Sequence, residues 1–137
     1  MPTGFHINQD DGLITVSGSE DVDAIEATST FRSVLEHPEF DPGLPQLIDL
    51  RGLSSNAPAA HDFLTLERFL LSTYRPKIEA SIAVLVDDEL DRFRMAAIFH
   101  LTCQLPRTEL FDYFDHAIRW LIRNEFVEPI RSIESPH

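Results

Sequence analysis

Two short apolar runs, each closed by an aspartate, constrain the fold more than any other feature of this 137-residue chain. The first is Leu-Ile-Asp-Leu-Arg at residues 47–51, and the second is Ser-Ile-Ala-Val-Leu-Val-Asp at residues 81–87. Neither run alternates polar with apolar residues, which is typical of strands buried on both faces. Because a long helical pattern follows each run, the sequence predicts an α/β sheet, with any site near the strand ends at Asp49 and Asp87.

Turn and helix signals divide the rest of the chain. Asp-Asp-Gly at residues 10–12 separates two strand patterns and predicts an opening hairpin. In chain order, the predicted elements are strands 5–8 and 13–18, a helix from Ser19 to about Glu36, the strand ending at Asp49, a helix from Pro58 to about Tyr74, the strand ending at Asp87, a helix from Asp88 to Leu105, a strand at 109–111 and a helix beginning near Asp112. This order, ββαβαβαβα, predicts one domain over residues 1–137, with a core from about 5 to 123 and a polar tail from about 129 to 137.

Composition argues against several classes of function. With 23 acidic and 11 basic residues, the formal net charge of −12 repels nucleic-acid phosphates and anionic lipid headgroups. The lone Cys103 cannot form an internal disulfide, and no apolar run approaches the roughly 20 residues that span a bilayer. The N-terminus lacks the basic-then-apolar pattern of a signal peptide. We therefore expect a cytoplasmic protein with no nucleic-acid partner and no stable membrane insertion.

The order of the predicted elements resembles a known family. The features that carry the resemblance are the opening hairpin, the strand closing in Asp-Leu-Arg at 49–51, the strand Ile-Ala-Val-Leu at 82–85, and an ending with Phe111, Ala117, Trp120 and Leu121. Over roughly residues 5 to 123 the chain resembles the SpoIIAA-like (STAS/SEC14-like) bacterial proteins, small relatives of anti-sigma factor antagonists. The resemblance implies a four- or five-stranded mixed sheet with about four helices packed mainly on one face. It implies little about activity, because a fold does not determine a function.

One function of that family can be compared with the residues present. Anti-sigma antagonists carry a phosphorylatable serine at the N-terminus of the helix that follows the strand ending in aspartate. The matching positions here are Pro58 or Ala59, so that serine is absent. Ser54 and Ser55 lie earlier in the loop, and only a phosphate on one of them would restore the kinase-switch interpretation.

The predicted strand ends carry a candidate loop site. Asp49, Asp87 and Asp88 could together hold a magnesium ion or a phosphoryl group. The favoured interpretation is structural: Asp49 ties down its loop, while the other two cap the third helix. With Arg51, Ser54 and Ser55 these residues complete the candidate site. Since the sequence contains no catalytic, metal-binding or nucleotide-binding signature, we expect no enzyme activity and no cofactor.

One histidine and the single cysteine lie close together in the third helical pattern. His100 and Cys103 are three residues apart, a spacing that would permit contact in a catalytic Cys–His pair. Buried cysteine, however, behaves mostly as a small hydrophobe. We expect both side chains to take part in core packing.

The second and third helices carry more apolar residues than one sheet contact requires. The additional residues are Leu64, Phe69, Leu71, Met95 and Phe99. They could pack between the helices, form a self-association surface, or line a cleft for a small apolar ligand such as a lipid. We expect a non-enzymatic binding or regulatory domain that acts through protein–protein association, as a homodimer or with another protein. The alternative is a carrier or sensor of a small apolar ligand in the cleft between helices two and three.

Overall fold

The computed structural model describes residues 3–8, 12–18, 24–51, 66–86, 92–105 and 107–130. Five strands form one mixed sheet, in which each strand lies beside its neighbours in the sequence. The first two strands pair antiparallel, and all the other pairs are parallel. This architecture confirms the predicted α/β class and a five-stranded mixed sheet. The strands are β1 (Thr3–Asn8), β2 (Leu13–Gly18), β3 (Gln46–Asp49), β4 (Ile82–Leu85) and β5 (Thr108–Phe111).

Four helical segments connect or follow these strands within the described residues. They are α1 (Ala24–Glu36), α2 (residues 66–77), α3 (Arg92–Gln104) and α4 (Phe114–Leu121). The α2 segment is irregular: it is α-helical over 66–69, a π turn over Leu70–Tyr74 and a 3₁₀ turn over Arg75–Lys77. The predicted helix starts at Ser19, Pro58 and Asp88 lie outside the described residues.

The two central strands are buried on both faces, as their uninterrupted apolar runs predict. In β4 all four residues are buried, and in β3 the first three are. Alternate side chains belong to opposite faces, so that Ile82 and Val84 join one core cluster while Ala83 and Leu85 join another. Helices therefore cover both sides of this sheet.

The larger core lies on the face covered by α1, α2 and α3. Phe31 and Val34 of α1, Leu70 and Tyr74 of α2, and Ile98 of α3 are all buried there against the sheet. The rings of Phe31 and Tyr74 meet edge to face with 4.9 Å between their centroids. Three helices thus share one hydrophobic core on this side.

The smaller core lies under α4 on the opposite face. Ala117 and Leu121 are buried against Leu47, Leu85 and Phe111. Trp120 packs at the margin of this cluster, with its ring centroid 5.5 Å from that of Phe111. The four residues that carry the pattern near the end of the chain therefore pack in or against this core: Phe111, Ala117, Trp120 and Leu121.

The chain after α4 stays attached to the sheet. Val127 is buried in the smaller core, and the backbone N–H of Ile130 donates to the carbonyl of Leu110 at 2.7 Å. This bond covers part of the outer edge of β5, where unpaired backbone groups would otherwise face solvent. Packed structure therefore continues beyond residue 123 to residue 130, and residues 131–137 of the predicted tail lie outside the described residues.

Candidate functional site

Asp49 and Arg51 form a closed pair at the carboxyl end of β3. The backbone N–H of Arg51 donates to Asp49 Oδ1 at 3.0 Å. Its guanidinium donates from Nε to Oδ1 at 3.1 Å and from Nη2 to Oδ2 at 2.9 Å. Both carboxylate oxygens are therefore occupied from within two residues, as expected of an aspartate that ties down its own loop.

The protonation of Asp49 follows from this geometry. Partial burial by itself would raise the pKa of the Asp49 carboxyl. The side-chain and backbone hydrogen bonds from Arg51, together with its positive charge, outweigh burial and lower the pKa below its usual value. Asp49 is consequently an ionised ion-pair partner at neutral pH. The other members of the predicted loop site, Ser54, Ser55, Asp87 and Asp88, lie outside the described residues.

Arg51 also reaches the start of α4. Its guanidinium carbon lies 5.9 Å from the centroid of the Phe114 ring, within the range of a cation–π contact. The neighbouring Tyr113 contacts His116 edge to face, with 5.1 Å between ring centroids. The carboxyl edge of the sheet is therefore continuous with a group of aromatic side chains on α4.

We use the term α4 surface for the exposed large apolar side chains of α4 and its flanks, namely Tyr113, Phe114, Ile122 and Phe126. Phe114 is 49% exposed and Phe126 is 84% exposed. Glu125 is held back against the helix, because its N–H donates to the Arg119 carbonyl at 3.1 Å and its carboxylate accepts from Arg119 Nε at 3.0 Å. Phe126 therefore lies beside the end of α4.

Sequence reasoning missed the α4 surface, although a signal was present. Phe114, Ile118 and Ile122 recur every four residues and trace a stripe along one side of the helix, in which Ile118 packs partly against the smaller core while Phe114 and Ile122 are exposed. A second stripe, Ala117 and Leu121, supplies the contact with the sheet. A short helix with two apolar stripes and only one sheet to cover predicts an exposed apolar face.

The additional apolar residues predicted on the second and third helices do not form an exposed surface of this kind. Phe69 is only 8% exposed, belongs to the larger core and is covered by the Arg32 guanidinium, 5.0 Å from its ring centroid. Phe99 packs against the same core, and Leu71 is half-buried. These positions therefore give little exposed apolar area. Leu64 lies outside the described residues, and Met95 lies within α3.

The expected core packing of His100 and Cys103 is wrong. Cys103 is exposed, and the His100 side chain is 69% exposed. His100 Nε2 instead lies 2.6 Å from Gln104 Nε2 and 3.6 Å from Glu67 Oε2, which joins α3 to α2 at the surface. His100 lies between two apolar residues, Phe99 and Leu101, which favours the prediction of a buried position. In a helix, however, successive side chains point in different directions, and His100 points to solvent.

A pocket of about 460 Å3 is a second feature that sequence reasoning missed. It opens between the ends of α2 and α3, beside the start of β4, and Arg75, Glu79 and Arg107 line it. Within the described ranges, no group of three or more histidine, cysteine, aspartate or glutamate side chains is placed to hold a metal ion. The same ranges include no helix with the length and apolar character that a membrane span requires.

We compared the chain with known protein families, curated proteins and solved structures. No protein-family model, curated protein or solved structure matches the chain.

Proposed function

We propose that this chain is a non-enzymatic cytoplasmic binding domain of the SpoIIAA-like type, which acts by protein–protein association through the α4 surface. The observation that carries the proposal is the exposure of four large apolar side chains in and beside one short helix. Exposed apolar area concentrated on one short segment is costly in water and commonly marks an interface. Aromatic side chains are also the residues most enriched at the centre of such contacts.

The partner that best fits this surface is a second copy of the chain. Between residues 113 and 126 the charged side chains are Asp115, Arg119, Arg123 and Glu125, two acidic and two basic. Arg119 lies 3.6 Å from Asp115 and 3.0 Å from Glu125, and Arg123 lies 4.0 Å from Glu125. This stretch is neutral, whereas the chain as a whole carries −12. Two copies that meet here avoid most of their mutual repulsion, and a two-fold axis can pair each acid with an arginine of the other copy.

The family assignment is supported at the level of architecture. An antiparallel hairpin leads into parallel strands, the second of these ends in the Asp49–Arg51 pair, and helices lie on both faces. The mixed sheet and its opening hairpin agree with what the SpoIIAA-like resemblance implies, and three of the four described helices lie on one face, with α4 on the other. The proposed function does not include the family's kinase switch, because Pro58 and Ala59 occupy the matching positions.

The test is sedimentation or light-scattering analysis at micromolar concentration, with two matched variants. Phe126→Asp adds a charge to the α4 surface, and Thr73→Asp adds the same charge to an exposed position on α2, across the sheet. We expect the unmodified chain and the Thr73→Asp variant to be dimers and the Phe126→Asp variant to be a monomer. A monomeric unmodified chain would exclude the homodimer. Equal dissociation by both variants would show that general repulsion, and not the α4 surface, controls association.

A further inference from the structure

The pocket between α2 and α3 combines apolar walls with two arginines. Ile78, Leu105 and Tyr74 are among its apolar lining residues. Arg75 and Arg107 line the same space. A volume of about 460 Å3 lies in the range of small-molecule binding sites, although this pocket is half open to solvent. The pocket is formed by different residues from the apolar cleft predicted from the sequence.

Two local irregularities of the backbone place these arginines. The π turn that ends at Tyr74 directs the Tyr74 ring into the core, and Arg75 follows as the first residue of the 3₁₀ turn. Arg107 has φ +55°, a left-handed conformation that is strained for a residue with a side chain. Its Nη1 donates to the carbonyl of Glu79, which anchors the guanidinium at the pocket wall. Both irregularities border the same pocket.

The positive charge of the pocket is unusual for this chain. The Arg75 side chain makes no hydrogen bond or ion pair with the part of the chain that the structure describes, and its backbone N–H and carbonyl bond to Leu70 and Ile78. Arg107 uses one of its N–H groups on the Glu79 carbonyl, and a guanidinium has five. Among the described lining residues, Glu79 carries the one carboxylate, so the two arginines leave a net charge of +1 on that part of the pocket. An anion that is repelled by most of this acidic chain is attracted here.

We propose that this pocket binds a small anionic amphiphile, a carboxylate or phosphate monoester with an aliphatic body. The guanidinium groups of Arg75 and Arg107 hold the anionic head, because their planar donors match the oxygens of carboxylates and phosphates. The aliphatic body lies against the apolar lining of Ile78 and Leu105, where it leaves water. The pocket lies on the face of the sheet opposite the α4 surface, so this binding does not depend on self-association.

The test is isothermal titration of the full chain with four probes: octanoate, octyl phosphate, octanol and inorganic phosphate. We expect octanoate and octyl phosphate to bind, with octanol and inorganic phosphate each at least about tenfold weaker, because each lacks one half of the recognised chemistry. Octanol that binds as tightly as octanoate would overturn the role of the arginines. Inorganic phosphate that binds as tightly as octyl phosphate would reduce the site to one for a free anion and overturn the amphiphile.

Three variants separate the pocket from the general field of the protein. Arg75→Gln should weaken octanoate binding about tenfold or more, whereas Glu79→Gln should tighten it about two- to fivefold because a repelling carboxylate is removed. Lys77→Gln is the matched control: it removes the same charge from an exposed position two residues away that does not line the pocket. Circular dichroism melts verify that each variant folds. Equal weakening by Arg75→Gln and Lys77→Gln, or weaker binding by Glu79→Gln, would overturn the proposal.

Discussion

Tyr74 and Gln46 form a buried polar pair whose energetic value can be measured. Tyr74 is 2% exposed and Gln46 is 0% exposed, and the Tyr74 hydroxyl donates to Gln46 Oε1. Burial raises the pKa of the Tyr74 hydroxyl, although the hydrogen bond with Gln46 opposes that shift, so the hydroxyl remains a donor at neutral pH. The other end of the amide, Gln46 Nε2, has no hydrogen-bond partner among the described residues. The Tyr74 hydroxyl is therefore the amide's one side-chain partner in that part of the chain.

The change Tyr74→Phe removes this donor and leaves the Gln46 oxygen buried and unpaired. The expected loss in the free energy of unfolding is about 1–3 kcal/mol, the cost of an unsatisfied buried polar group. For a domain of this size, that loss corresponds to a fall in Tm of roughly 4–12 °C. The double variant Tyr74→Phe/Gln46→Met removes both polar partners and keeps their approximate volumes. We expect its stability to return to within about 1 kcal/mol of the unmodified chain.

Urea unfolding followed by far-UV circular dichroism measures both quantities. Fluorescence of Trp120, the only tryptophan, gives a second reading from the opposite core. Tyr113→Phe, made in the monomeric Phe126→Asp variant, is the matched control, because there it removes the same hydroxyl from an exposed side chain and should change stability by less than about 0.5 kcal/mol. The reasoning is refuted if Tyr74→Phe is as mild as this control, or if the double variant loses the sum of the two single losses.

Two further predictions concern the ion pair after β3 and a strained turn. The folded pKa of Asp49 is lowered, so its pairing with Arg51 stabilises the fold above the unfolded pKa of about 3.9, and this contribution disappears as pH falls through the lowered value. Asp49→Asn should cost only about 0.2–1 kcal/mol at neutral pH because the pair is partly exposed, and urea unfolding across a pH series should show that difference shrinking below about pH 4; a constant difference contradicts the assignment. Asn124 is exposed with φ +56°, so Asn124→Gly should leave Tm unchanged or slightly raised, while Asn124→Val should cost about 1–2 kcal/mol in thermal unfolding. A valine variant as stable as the glycine variant would show that this turn stores no strain.

The predicted elements and the predicted sites differ in how much local sequence says about them. The strand at 82–85 is an apolar run of four residues, and such a run needs burial on both faces wherever it lies in the fold. The burial of Phe69 instead involves distant residues: it belongs to the larger core, and the guanidinium of Arg32, 37 positions earlier, lies over its ring. The exposure of Phe126 likewise reflects that no element of the described ranges covers it, a property that no local pattern contains.

The amino-acid sequence by itself determined the types and order of the described elements: a hairpin, buried strands and amphipathic helices. Each of these depends on periodicity within about ten residues, which reports how a segment must be buried. Only the tertiary structure decided that α4 covers its face of the sheet without another described helix beside it, that Arg51 reaches Phe114, and that Arg75 and Arg107 share a pocket. These contacts join residues more than 30 positions apart, and they arise because sheet order and chain reversal bring distant segments together. The order of the strands within the sheet decides which distant residues come into contact, and sequence periodicity carries no information about that order.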